Sequence, residues 1–215
     1  MKKIYGFTIA EISIVLGLII LTFILIMPNV IEDNKKIDRI TKWKTTYQNL
    51  EYIFSAMSAQ ATETDNAAFK KAVNNDEKAD LLFNMLSPYL RVEKPVSTDE
   101  YKTYFLNGTK VNEEDKHYIT NLHILNSGKV VGIKWLNTPE SYIDKLPAAI
   151  MSVDLNGLNQ PNKWGYDIFG INIYANKIEP LGKTDDDYII KNDCSKKGTG
   201  ITCSYLYYIY GGEFK

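Results

Sequence analysis

Residues 1–31 read MKKIYGFTIAEISIVLGLIILTFILIMPNVI, and the reading of this stretch decides how the rest of the chain is organised. Lys2 and Lys3 precede a short leader that ends at Gly6, and an apolar run then continues from Phe7 to about Ile31. Glu11 is the single charge inside that run; the next is Glu32. An apolar segment of about 20 residues, rising about 1.5 Å per residue, is long enough to cross a bilayer as a helix. A secretory signal peptide has an apolar region of only about 7–15 residues and a small-residue cleavage site. This run is longer and passes into Pro28-Asn29 without an Ala-x-Ala site. A plain signal anchor accounts for the length and leaves Glu11 unexplained. A carboxylate near the membrane end of a lone helix costs about 2–3 kcal/mol on insertion scales. Such a group needs a partner, and the apolar run is expected to offer none in the same chain.

The hexapeptide Gly6-Phe7-Thr8-Ile9-Ala10-Glu11 resembles the class III leader junction of type IV pilins and type II secretion pseudopilins. The resemblance implies cleavage between Gly6 and Phe7 by a prepilin peptidase, followed by N-methylation of the new Phe7 amine. It also implies that Glu11 pairs with the Phe7 ammonium of a neighbouring subunit as a filament assembles, which would supply the missing partner. Pro28 stands where the family has its helix-kinking proline, twenty-two positions into the mature chain. The implied partners are other pilin or pseudopilin subunits, the peptidase and an inner-membrane assembly platform. The implied function is structural: a filament subunit, with a minor or tip subunit serving adhesion or DNA uptake, or a membrane-anchored exported binding module, as alternatives.

Charge and length bound the rest. The formal net charge of −1 becomes −3 when Lys2 and Lys3 leave with the leader, whereas a dedicated nucleic-acid binder usually shows clustered basic residues. Contact with nucleic acid is therefore left open, without support from composition. Lys2 and Lys3 precede the span, and Glu32 and Asp33 partly offset Lys35 and Lys36 after it. The positive-inside tendency then keeps the leader cytoplasmic and exports the C-terminal part; the resemblance implies a single-pass inner-membrane protein that later enters a surface or periplasmic filament. A chain of 215 residues has room for one spanning helix and one modest globular domain.

Past Pro28 the pattern becomes amphipathic. Ile40, Trp43, Tyr47, Leu50, Phe54, Met57 and Ala61 recur at spacings of three and four, which places them on one helical stripe. One helix is expected over 7–61, about 80 Å long if continuous, with 7–31 spanning the membrane or filling a filament core and 32–61 amphipathic. Residues 1–6 form the leader and 62–215 an exported α+β domain. Within it, Asp76 is the expected N-cap of a second helix that stops near Pro88, and 93–99 reads as a connector. From Tyr101 the period falls toward two. Strands are expected over 101–106, 118–125, 130–135, 148–153 and 167–174, with turns at Asn107-Gly108 and Asn126-Ser127-Gly128 and a tyrosine-rich edge strand over 205–210. The expected fold class is α+β, pilin-like: a long N-terminal helix packed on a small antiparallel sheet.

A second informative stretch is Asp154-Leu155-Asn156-Gly157-Leu158-Asn159-Gln160-Pro161-Asn162-Lys163-Trp164-Gly165-Tyr166-Asp167-Ile168-Phe169. It is similar to a pattern in many bacterial proteins with the same leader. Oxygens of Asp154, Asn156 and Asp167 could enclose a hard cation such as Ca²⁺. The other reading is a hydrogen-bonded Asx-turn loop between strands, in which Gly and Asn supply positive φ. No other cofactor is expected. Cys194 and Cys203 are the only cysteines, and in an exported domain they read as a disulfide, the alternative being two half-buried thiols. His117 and His123, six apart on the expected strand, would face solvent about 20 Å from each other, too far to share a metal. Lys196 and Lys197 form a small basic feature that could touch DNA or anionic sugars, or simply a solvated loop. Asn107-Gly108-Thr109 reads as a turn and not as a glycosylation site. Gly-x-Ser-x-Gly, a phosphate-binding glycine loop and His-Glu-x-x-His are all absent from the sequence, so no enzymatic role is expected.

Overall fold

A computed structural model describes residues 8–61, 68–139 and 145–212. The leader, with Gly6, and Phe7 lie outside the described residues. The chain divides into two compact units, residues 1–38 and 39–215. Helix α1, Ile9–Gln60, runs from the first into the second. Residues 75 onward add helix α2 (Asn75–Leu90), strands β1 (Val92–Val96), β2 (Asn121–Leu125), β3 (Val130–Trp135), β4 (Ala149–Asp154), β5 (Ile168–Ile173) and β6 (Ile178–Pro180), then helices α3 (Asp187–Asp193) and α4 (Cys203–Tyr210).

In the first unit every described side chain over residues 8–28 is exposed. The hydroxyls there are absorbed locally: Ser13 Oγ donates to the Ile9 carbonyl and Thr22 Oγ1 to that of Ile19, each at 2.8 Å. Such back-bonding satisfies both hydroxyls within the helix itself. Among the described residues this is the one helix long and apolar enough to cross a membrane.

In the second unit the six strands form one antiparallel meander in the order β1 to β6. Successive side chains point to opposite faces. Val131, Ile133, Met151, Val153, Phe169, Ile171 and Ile173 line one face, against α2 and the second half of α1. Val130, Ile150 and Ile168 line the other, against Tyr101, Val111, Ile119, Trp164 and Leu181 from the connecting loops. The stripe from Ile40 to Met57 is buried as its spacing predicts, but Ala61 is exposed because α1 ends at Gln60. Trp43 is the anchor. It is fully buried, stacks on Phe169 with ring centroids 5.1 Å apart, and its indole N–H donates to the Ser204 carbonyl at 2.7 Å.

Several local expectations are corrected. Helix α2 starts two residues early: the Asn74 side chain accepts from the Glu77 N–H, and Glu77 accepts in turn from the Val73 N–H. That reciprocal box outcompetes Asp76 as the cap. The helix also passes Pro88, because Ser87 Oγ donates to the Asn84 carbonyl that the missing proline N–H would have served. The connector over 93–99 contains β1, an edge strand in which Pro95 is tolerated. The 101–106 strand reduces to isolated bridges at Tyr104. The 205–210 edge strand is instead α4, with Cys203, Ser204 and Leu206 buried and Gly211 closing it in the left-handed conformation. His117 is buried ahead of β2, 2.8 Å from Asp115, and His123 stacks on Phe83 with centroids 3.7 Å apart; neither faces solvent as expected. Burial holds both imidazoles below their ordinary pKa.

Candidate assembly site and the Asp154 loop

At the start of α1, Thr8 and Glu11 stand in the Thr-x-x-Glu spacing of a capping box. The Thr8 N–H and the Thr8 hydroxyl each donate to Glu11 Oε2 at 2.8 Å, and the Glu11 N–H donates to Thr8 Oγ1 at 3.3 Å. The expectation that Glu11 has no partner in its own chain is therefore corrected. It terminates the helix and sits in the first turn, where the helix dipole favours an anion. These donors are neutral or dipolar, and the carboxylate remains exposed. Large apolar side chains from Ile9 to Ile31 are exposed around it. Each is worth about 1.5–3 kcal/mol when buried, so the segment gains on the order of tens of kcal/mol from lipid or from a bundle of like helices.

The Asp154 loop lies in the second unit, between β4 and β5. Tyr101 Oη donates to Asp154 Oδ2 at 2.5 Å, while Oδ1 accepts from the N–H groups of Asn156 at 3.0 Å and Gly157 at 3.1 Å. Asp167 accepts from the N–H groups of Asn162 at 3.0 Å and Lys163 at 2.5 Å, and from Asn156 Nδ2 at 3.1 Å. Asp154, Asn156 and Asp167 are thus brought together, as the sequence pattern suggested. The Asp carboxylate oxygens are turned toward protein donors, and among the described residues no group of three or more His, Cys, Asp or Glu side chains could hold a metal. This geometry is that of the hydrogen-bonded Asx-turn reading. Gly157 (φ +71°) is obligatory, since a Cβ there would lie 2.0 Å from the Gly128 carbonyl oxygen, and Asn162 also takes a positive φ of 49°. Burial, then the charge of Asp167, pushes the Asp154 pKa up to about 7 against the pull of the Tyr101 and backbone hydrogen bonds. Burial raises Asp167 as well. Tyr101 was not legible as a partner, because it reaches the loop from 53 residues away.

Cys194 and Cys203 form a disulfide. Beside it, Asp193 accepts from the N–H and hydroxyl of both Thr199 and Thr202, at 2.5–2.9 Å. Partial burial works against its ionisation, but these four bonds prevail and hold its pKa below the ordinary value. The Thr199 carbonyl in turn accepts from the Leu106 N–H at 2.9 Å, so the disulfide loop secures the 101–110 segment. Replacing both cysteines by serine is expected to remove about 2–3 kcal/mol of stability, read as a lower melting temperature in tryptophan fluorescence. An unchanged melt would show that the Asp193 bonds alone hold the loop.

Comparison with protein-family models, curated proteins and solved structures finds no match to this chain.

Proposed function

We propose that this chain is a structural subunit of a type IV pilus-like or type II secretion pseudopilus-like filament. It is processed between Gly6 and Phe7, held in the inner membrane by the first half of α1, and drawn from there into a helical fibre. The observation that carries this reading is an apolar helix exposed on every face, with one capped carboxylate in its first turn directly after a Gly-Phe junction. A helix that is apolar on every face gains most in lipid or against copies of itself. Glu11 gives that packing an axial register. Its capping bonds fix the carboxylate in place, and pairing with the amine of a neighbour's Phe7 would neutralise it where the dielectric is low.

The experiment is imaging of surface and sheared fractions from cells with and without this protein, combined with antibody labelling. Fibres decorated along their length indicate a bulk subunit, and labelling confined to one end indicates a tip subunit. Fibres that never carry the label would contradict both forms of the proposal.

A further inference from the structure

Three short extended segments lie side by side on the loop-covered face of the sheet. The Phe105 N–H donates to the Thr109 carbonyl at 2.8 Å and the Val111 N–H to that of Thr103 at 3.0 Å. On the other side, the Tyr104 N–H donates to the Asn162 carbonyl at 3.0 Å and the Trp164 N–H to that of Tyr104 at 2.9 Å. Tyr104 is therefore the bridge partner of Lys110 on one flank and Lys163 on the other. Bridge partners share a face, and the Tyr104–Lys110 pair is of the closely spaced kind, about 4.5 Å between Cα atoms. Alternation sends Phe105, Val111 and Trp164 inward to the core. Lys110, Tyr104 and Lys163 are left as an outward row, cation, ring, cation, with Lys110 exposed and the other two half-buried.

The disulfide loop extends this row. The Asn107 N–H donates to the Gly198 carbonyl at 3.0 Å and its side-chain amide to that of Lys197 at 3.4 Å, which sets the exposed Lys196 and Lys197 beside the same turn. Lys163 Nζ lies 4.0 Å from where a Cβ of Gly108 would stand, so its ammonium reaches over that turn. Among the described residues none of these four lysines takes part in an ion pair of the kind that Lys177 and Lys183 make with Glu179. Asp193, the acid nearest in the loop, is occupied by its four threonine bonds. Glu113 and Glu114 lie beyond Val111, past the end of the row.

Unneutralised lysines attract a polyanion by releasing its counterions, and a tyrosine between them offers a flat face on which a base can stack. We propose that the Lys110–Tyr104–Lys163 row, with Lys196 and Lys197, binds single-stranded nucleic acid, with phosphates on the lysines and a base on Tyr104. The site belongs to the second unit and does not depend on the filament reading.

The test is fluorescence anisotropy of a labelled oligothymidine with the full-length protein in detergent micelles, titrated over a range of salt. Lys110→Gln with Lys163→Gln should weaken binding about ten-fold and lower the logarithmic salt slope by about 1.4, two phosphate contacts on a single strand. Lys110→Arg with Lys163→Arg should retain binding, and Lys70→Gln with Lys71→Gln should leave it unchanged. Tyr104→Ala should weaken it about ten-fold, with Tyr104→Phe retaining it. No binding by the wild type at low salt, or no loss in the double glutamine variant, overturns the proposal. So does equal affinity for polyphosphate together with indifference to Tyr104→Ala, which would mark a patch for base-free polyanions.

Discussion

Glu11→Gln is expected to insert and fold like the wild type and yet to lower filament formation by more than about ten-fold, the usual effect of removing one partner of a desolvated charge pair. Glutamine is accepted at the third position of a capping box, so the bond from the Thr8 N–H survives while the charge does not. Glu11→Ala removes both at once and cannot separate the two roles. Thr8→Ala gives the converse: the cap is lost, at about 1 kcal/mol, and the charge is retained, so filaments should still form. Filament yield measured across the three variants decides the matter. Normal fibres from Glu11→Gln, with loss only in Thr8→Ala and Glu11→Ala, would reduce Glu11 to a helix cap.

The second large effect concerns pH. Asp154 carries a pKa of about 7 in the folded chain, against an ordinary value of 3.8, so between these limits the folded state holds a proton that the unfolded state has released. Stability contributed by this group is complete below the lower limit, falls as pH rises through the window and levels off above about 7. Asp167, also raised, acts in the same direction. Asp193 and Glu179, both lowered, act oppositely and lose stability only as the pH drops below the usual carboxylate range. Asp154→Asn should therefore be nearly neutral at about pH 3, below both limits, and stabilising at pH 8, by up to about 4 kcal/mol, three pKa units at about 1.4 kcal/mol each. The amide oxygen keeps the bonds from the Asn156 and Gly157 N–H groups, and the amide nitrogen can donate to Tyr101 Oη. Thermal melts followed through the buried Trp164 report it; a destabilisation at pH 8 would mean that the ionised carboxylate holds the loop together. In the same melts, millimolar calcium or a chelator should leave the wild type unmoved, because protein donors already occupy the carboxylates. A calcium-dependent rise would mean that the loop opens to take the ion.

The features legible in the sequence were those with a strong period and a single solvent. The stripe from Ile40 to Met57 was readable because one side of that helix is buried and the other wet, and strands β3, β4 and β5 because each is a short, mainly apolar run with isoleucine or valine in it. The tyrosines of α4 read as a strand because aromatic residues favour strands, whereas the burial of Cys203 and Leu206, which fixes the helix, is set by distant packing. Strand β1 was hidden by Pro95, whose tolerance depends on its edge position, a fact of topology. The Thr8–Glu11 box stands in the sequence in plain form, but the cost of a carboxylate in an apolar run is the stronger signal there and masks it. The Tyr101–Asp154 bond and the pairing of Tyr104 with Lys163 are contacts across more than fifty residues, which no local pattern reports.

The filament account stands on the chain being cut before Phe7. Intact-mass and N-terminal fragment spectra of the protein purified from its native membrane or fibres measure this directly. The account predicts a polypeptide that begins at an N-methylated Phe7; a working protein that still begins at Met1 would contradict it.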